Sequence, residues 1–77
     1  MKLNYYSDTD SLYIDLSGQA STESREISEG IVLDYDVEGK LVGIDIDHAS
    51  TNIDLRKTVI TNFPGPVETI IDQRLQR

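Results

Sequence analysis

Ile31-Val32-Leu33-Asp34-Tyr35-Asp36-Val37-Glu38-Gly39-Lys40-Leu41-Val42-Gly43-Ile44-Asp45-Ile46 is the stretch that decides the fold. Ile31, Leu33 and Tyr35 alternate with Val32 and Asp34, and Val42, Ile44 and Ile46 alternate with Gly43 and Asp45. A period of two residues is the mark of a strand with one face buried. Between the two runs, Val37-Glu38-Gly39-Lys40 reads as a hairpin turn, because glycine takes positive φ without steric cost. The two runs therefore make one antiparallel hairpin, with the aliphatic side chains on one face and the acids on the other.

The same reading extends towards the N-terminus. Leu12, Ile14 and Leu16 alternate with Tyr13, Asp15 and Ser17. Lys2 to Tyr6 is β-prone and separated from that run by Ser7-Asp8-Thr9-Asp10-Ser11, whose side-chain oxygens favour a turn. Glu23 to Ile27 is polar and charged, as suits an edge strand that must resist further pairing. Glu29-Gly30 turns the chain into the central hairpin. The expected core is Leu3, Leu12, Ile14, Leu16, Ile31, Leu33, Val42, Ile44 and Ile46.

After residue 50 the pattern changes. Ser50 or Thr51 suits the cap of a short helix from Asn52 to about Lys57. Thr58 to Phe63 fits either a strand or an extended linker. Pro64-Gly65-Pro66 is a break. Val67, Ile70, Ile71 and Leu75 then fall at helical spacing, with Pro66 suited to a first helical position and Glu68, Arg74 and Arg77 placed to suit the helix dipole. The expectation is thus an α+β fold, a four- or five-stranded antiparallel β-meander over residues 1–50, and an appendage over 51–77 carrying an amphipathic helix at about 66–76. Such a short helix needs a surface to dock on. Val67, Ile70, Ile71 and Leu75 are therefore the expected interface residues.

Size and charge narrow the function classes. A chain of 77 residues holds one core at most, and with no cysteine it has no disulfide or thiolate metal site to strengthen it. Self-association, as a homodimer, is the natural substitute. There are 14 acidic residues against 7 basic ones, a net charge of -7. Contact with a phosphate backbone needs clustered Lys and Arg, so direct nucleic-acid binding is not expected, whereas a basic protein partner is. No stretch approaches a membrane span and no leader-like apolar run opens the sequence, which together with the missing cysteines fits the cytoplasm. No motif calls for a cofactor.

The run from Asp34 to Ser50 is the most specific part of a wider resemblance. Asp8, Asp10-Ser11-Leu12-Tyr13-Ile14, Leu16, Glu29 to Asp36, Gly39 to Ile46 and Ala49-Ser50 resemble the DUF2283 family, over roughly residues 1–50. The family pattern has an acid or Leu-Asp before Ala-Ser, where this chain has Asp47-His48. The resemblance implies a compact β-rich fold without known catalytic residues. It also implies a place beside small toxin-like proteins, as the partner of a basic one.

Three groups of acids are candidates for chemistry. Asp34, Asp36, Glu38, Gly39 and Asp45 mimic the spacing of an EF-hand calcium loop, but such a loop lies between helices and both flanks here alternate as strands. Asp34, Asp36, Asp45 and Asp47 could share the polar face of the hairpin, with His48 as a nitrogen ligand. These five are the candidate metal ligands, the alternative to the interaction-module reading being a metal- or ligand-binding sensor or enzyme. Gly43 lies among the acids, either as a notch for a ligand or as room for a bulky cross-strand neighbour or a bulge. Asp8, Asp10 and Ser11 form the third group and suit a turn or cap. No catalytic residue is expected, since His48 is the sole histidine and no Gly-x-Ser-x-Gly elbow exists.

Overall fold

In the computed structural model, residues 1–57 and 59–71 are described, the last of them by its backbone alone. The chain is predominantly β, with one mixed sheet of six strands and one short helix. The strands are β1 (Lys2–Tyr6), β2 (Ser11–Asp15), β3 (Glu23–Ser28), β4 (Ile31–Tyr35), β5 (Leu41–Ile46) and β6 (Glu68–Ile71), and the helix α1 is Ala49–Asn52. Their order across the sheet is β3-β4-β5-β2-β1-β6.

This order is not a plain meander. β3, β4 and β5 follow one another through tight turns, and β1 pairs with β2. β2, however, returns to lie beside β5. The connection after β2 must therefore pass two strands before β3 begins, which gives β2 to β5 the order of a Greek key. Asp15 starts this connection by accepting the Ser17 and Gly18 amides on its Oδ1, at 3.2 and 2.8 Å. Alternation identifies each strand, but it does not say which strands are neighbours.

The expected helix over 66–76 is corrected. Glu68–Ile71 is a strand that pairs in parallel with β1, from Lys2↔Glu68 to Tyr5↔Ile71. Thr69, Ile70 and Ile71 are β-branched, which stiffens χ1 and suits a strand, and the outer edge of β1 offers unpaired backbone groups. An apolar doublet with a third aliphatic three residues earlier fits both periods, and the open edge decides between them. Leu75 lies outside the described residues. The helix expected from Asn52 to Lys57 begins earlier, at Ala49, and ends at Asn52.

The register puts Leu3, Tyr5, Leu12, Ile14, Ile31, Leu33, Ile44 and Ile46 on one face. The buried hydrophobic side chains among the described residues are Leu12, Val42, Ile46 and Ala49, with Ala49 fully enclosed, and Gly43 is buried with them. Leu3, Tyr5, Ile14, Ile44 and Ile53 pack partly buried around Leu12, Ile46 and Ala49. Leu16, expected in the core, is 37% exposed: it lies one residue past β2, with its amide still donating to the Val42 carbonyl of β5 at 2.9 Å. Ala49 was not anticipated, since its burial depends on α1 folding back over β2 and β5. No helix of the described residues is long and apolar enough to cross a membrane.

Candidate functional site

The polar face of the sheet is organised by Tyr13 and Gly43. Tyr13 lies on β2 opposite Asp45, and Gly43 lies on β5 between Asp15 of β2 and Asp34 of β4. A Cβ on Gly43 would overlap the Tyr13 hydroxyl and ring. The ring thus lies across β5 in the space that the missing side chain leaves. At its far end the Tyr13 hydroxyl donates to Asp34 Oδ2 at 3.0 Å. Ser24 of β3 donates to the other oxygen, Asp34 Oδ1, at 2.6 Å. Side-chain bonds on this face therefore tie β2, β4 and β3, with the Tyr13 ring crossing β5 on the way. The bulky neighbour of Gly43 is Tyr13, and the register also shifts between Asp34 and Tyr35 as a bulge. Two signals marked the arrangement: a glycine within a strand, and a tyrosine of the same parity as the acids.

The electrostatics follow from this crowding. Burial, the bond to Asp34, and the charges of Asp34, Asp15 and Asp45 push the Tyr13 hydroxyl up to about 12. Asp45 is also raised, first by burial and then by the charges of Asp47 and Asp34. Its carboxyl holds a proton more firmly than an ordinary aspartate because ionisation would add charge to a partly desolvated acidic patch.

The expected five-ligand set divides among three places. Asp34 and Asp45 are diagonal neighbours on the polar face, and Asp47 lies close enough to act on Asp45. Asp36 belongs to the hairpin turn, where its Oδ1 accepts the amides of Glu38 and Lys40, both at 2.9 Å. His48 precedes α1 in the left-handed region, at φ 51°. Among the described residues no three His, Asp or Glu side chains are grouped so that they could hold a metal ion. Of the expected interface residues, Val67 and Ile70 are exposed and Ile71 contributes its backbone to β6.

Asp10 makes a second organised centre. Its own backbone is left-handed, at φ 54°. Its carboxylate accepts the Tyr5 hydroxyl at 2.7 Å and the Ser50 hydroxyl at 2.7 Å, together with the Ser50 amide at 3.1 Å. The Ala49 amide donates to the Asp10 carbonyl at 2.8 Å. His48, the residue at the N-cap position, makes no side-chain cap bond. Asp10 therefore caps α1 from a different loop, satisfying amides that a helix start leaves free. These bonds, that of Ser50 first and that of Tyr5 next, lower the Asp10 carboxyl below its ordinary range.

A model of the family described as "Protein of unknown function (DUF2283)" matches residues 2–50. That stretch contains β1 to β5 and the start of α1, with both the Tyr13–Asp34 and the Asp10–Ser50 links. β6 lies outside it. No curated protein and no solved structure matches the chain.

Proposed function

The chain belongs to the DUF2283 family, a family without an assigned activity, and from its geometry we propose that it is a small protein-interaction module that works as a homodimer. The carrying observation is the thinness of the fold. A sheet with one apolar face must bury that face against another layer. Here the second layer is a four-residue helix, and only four side chains are buried among the described residues. Leu3, Ile14, Ile31, Leu33 and Ile44 are left half-covered on the apolar face. A second copy supplies the missing layer with matching chemistry.

The acidic face is then turned outward as the surface offered to a basic protein. Asp15, Asp34, Asp45 and Asp47 lie on or beside it, within a chain of net charge -7. Light scattering coupled to gel filtration tests the assembly: a mass of two chains at micromolar concentration is expected. A single-chain mass at every concentration up to the millimolar range overturns it. Leu33→Glu places a charge in the half-covered face and should give a monomer with the sheet spectrum preserved.

A further inference from the structure

The two edges of the β1–β5 sheet are built differently. β3, at one end, carries Glu23, Arg25 and Glu26, has all six residues exposed, and shifts its register in a bulge between Glu26 and Ser28. Charges and a bulge keep an edge from pairing with another chain. β1, at the other end, has neither device. Its register with β2 is unbroken from Lys2↔Asp15 to Tyr6↔Ser11, Lys2 is its one charged residue, and Leu3 and Tyr5 pack against the core. Left bare, such a regular edge is a template for a strand of another copy.

The edge is covered by β6. The Glu68 amide donates to the Met1 carbonyl at 3.0 Å, and the Met1 amino group donates to the Pro66 carbonyl at 3.2 Å. Four residue pairs then run in parallel register, Lys2↔Glu68 to Tyr5↔Ile71. β6 starts two residues after Pro66 and opens with Glu68, and proline and charge both discourage a further strand. The family model ends at residue 50, so β6 is an addition to the shared unit, placed at the edge which that unit leaves unguarded.

Glu68, Thr69 and Ile70 are exposed, so β6 is held by backbone bonds and by its link more than by side-chain burial. Fifteen residues, 53–67, join α1 to β6. Extended, they reach about 50 Å. The path across β2 and β1 and back along one strand is about 25 Å at ordinary strand spacing and rise. A tether that spans its site with this margin presents its end at about millimolar effective concentration. A strand of another molecule at micromolar concentration is therefore outcompeted roughly a thousandfold for the same edge.

We infer that β6 is a tethered cap, which closes the β1 edge within its own chain and so prevents copies from joining edge to edge. The surface beneath the cap is a self-association surface. Its occupant, once the cap is off, is the β1 edge of a second copy, met antiparallel across a two-fold axis.

Cutting the tether after folding tests this directly. A site for a sequence-specific protease is placed within the exposed residues 59–63 of the full chain. On cleavage at micromolar concentration, the mass by light scattering should rise above that of the uncut chain with the sheet spectrum retained. Millimolar synthetic peptide of residues 64–77 should bring it back. A cut chain that keeps the uncut mass would overturn the cap. Because the Glu68 amide faces β1 and donors alternate along a strand, the Ile70 amide is the next to face it, and Ile70→Pro removes that bond. This variant should show the same rise in mass without cleavage, and an unchanged mass would overturn the cap as well. The readout is the change from the uncut parent, whether that parent is one copy or two, so the cap and the homodimer reading fail separately.

Discussion

Gly43→Ala should destabilise the protein, although alanine ordinarily improves on glycine within a strand. The general gain is about 0.5–1 kcal/mol, from the lower entropy of the unfolded chain. Here the new methyl group occupies the position of the Tyr13 hydroxyl and ring. Tyr13 must swing away, and its hydrogen bond to the Asp34 carboxylate goes with it. A bond to a charged acceptor contributes about 1.5–3 kcal/mol, so the net loss should be about 1–2 kcal/mol. For a domain of this size that lowers Tm by roughly 5–15 °C.

The decisive experiment is a double-mutant cycle with Tyr13→Ala, followed by thermal unfolding at one fixed protein concentration. Without the ring there is nothing for the methyl group to displace. Gly43→Ala in the Tyr13→Ala background should then be neutral or gain about 0.5 kcal/mol, as at an ordinary strand position. The coupling between the two sites should be about 2 kcal/mol, well above the scatter of independent substitutions. Equal losses in both backgrounds would refute the placement of Tyr13 across Gly43. They would also refute Tyr13 as the tie between β2 and β4.

The two perturbed carboxyls should give opposite pH responses. Asp45 is raised above its ordinary 3.8, so its protonated form favours folding: that contribution is complete below 3.8 and is lost as pH rises through the folded value. Asp45→Asn should therefore raise Tm at pH 7, with the advantage disappearing towards pH 4 in a series of melts. Asp10 is lowered, so its contribution is present above 3.8 and lost as pH falls through the folded value. Asp10→Asn should lower Tm at neutral pH, and the two proteins should converge below that carboxylate range. In an ultraviolet titration of the four tyrosines, one should ionise near 12. Tyr13→Phe should remove that late phase and leave the others.

The central hairpin was legible because its two runs carry an unbroken period of two and a glycine sits at the turn. Side-chain parity then placed Asp34 and Asp45 on one face. Neighbour relations were not legible. Nothing in the alternation of Leu12, Ile14 and Leu16 says that β2 lies beside β5 and not beside β3. The strand at Glu68–Ile71 was read as helix because Val67, Ile70 and Ile71 satisfy a helical spacing, and the open edge of β1 that captures them is a tertiary fact. Asp36 was grouped with the other acids by parity, yet the turn takes its carboxylate for two backbone amides. Tyr13 shares the parity of the acids, which puts it on their face. Its position over Gly43 needed the β2–β5 register.

The residues that carry the family resemblance are spent on the fold. Asp10, Ala49 and Ser50 fasten α1 to the first hairpin. Tyr13, Asp34 and Gly43 lace the polar face together. Gly39 and Asp36 close the central turn. A side chain whose donors and acceptors are consumed in this way has little left for a ligand, so the shared pattern reads as a recipe for a thin, laced sheet. What the pattern leaves unspent is a half-covered apolar face and an acidic outer face. Under the interaction-module reading proposed above, each of these is a surface offered to another chain. That reading is tested by changing residues of the half-covered face such as Leu33, with Asp10 and Tyr13, whose side chains are bonded within the fold, as the folding controls.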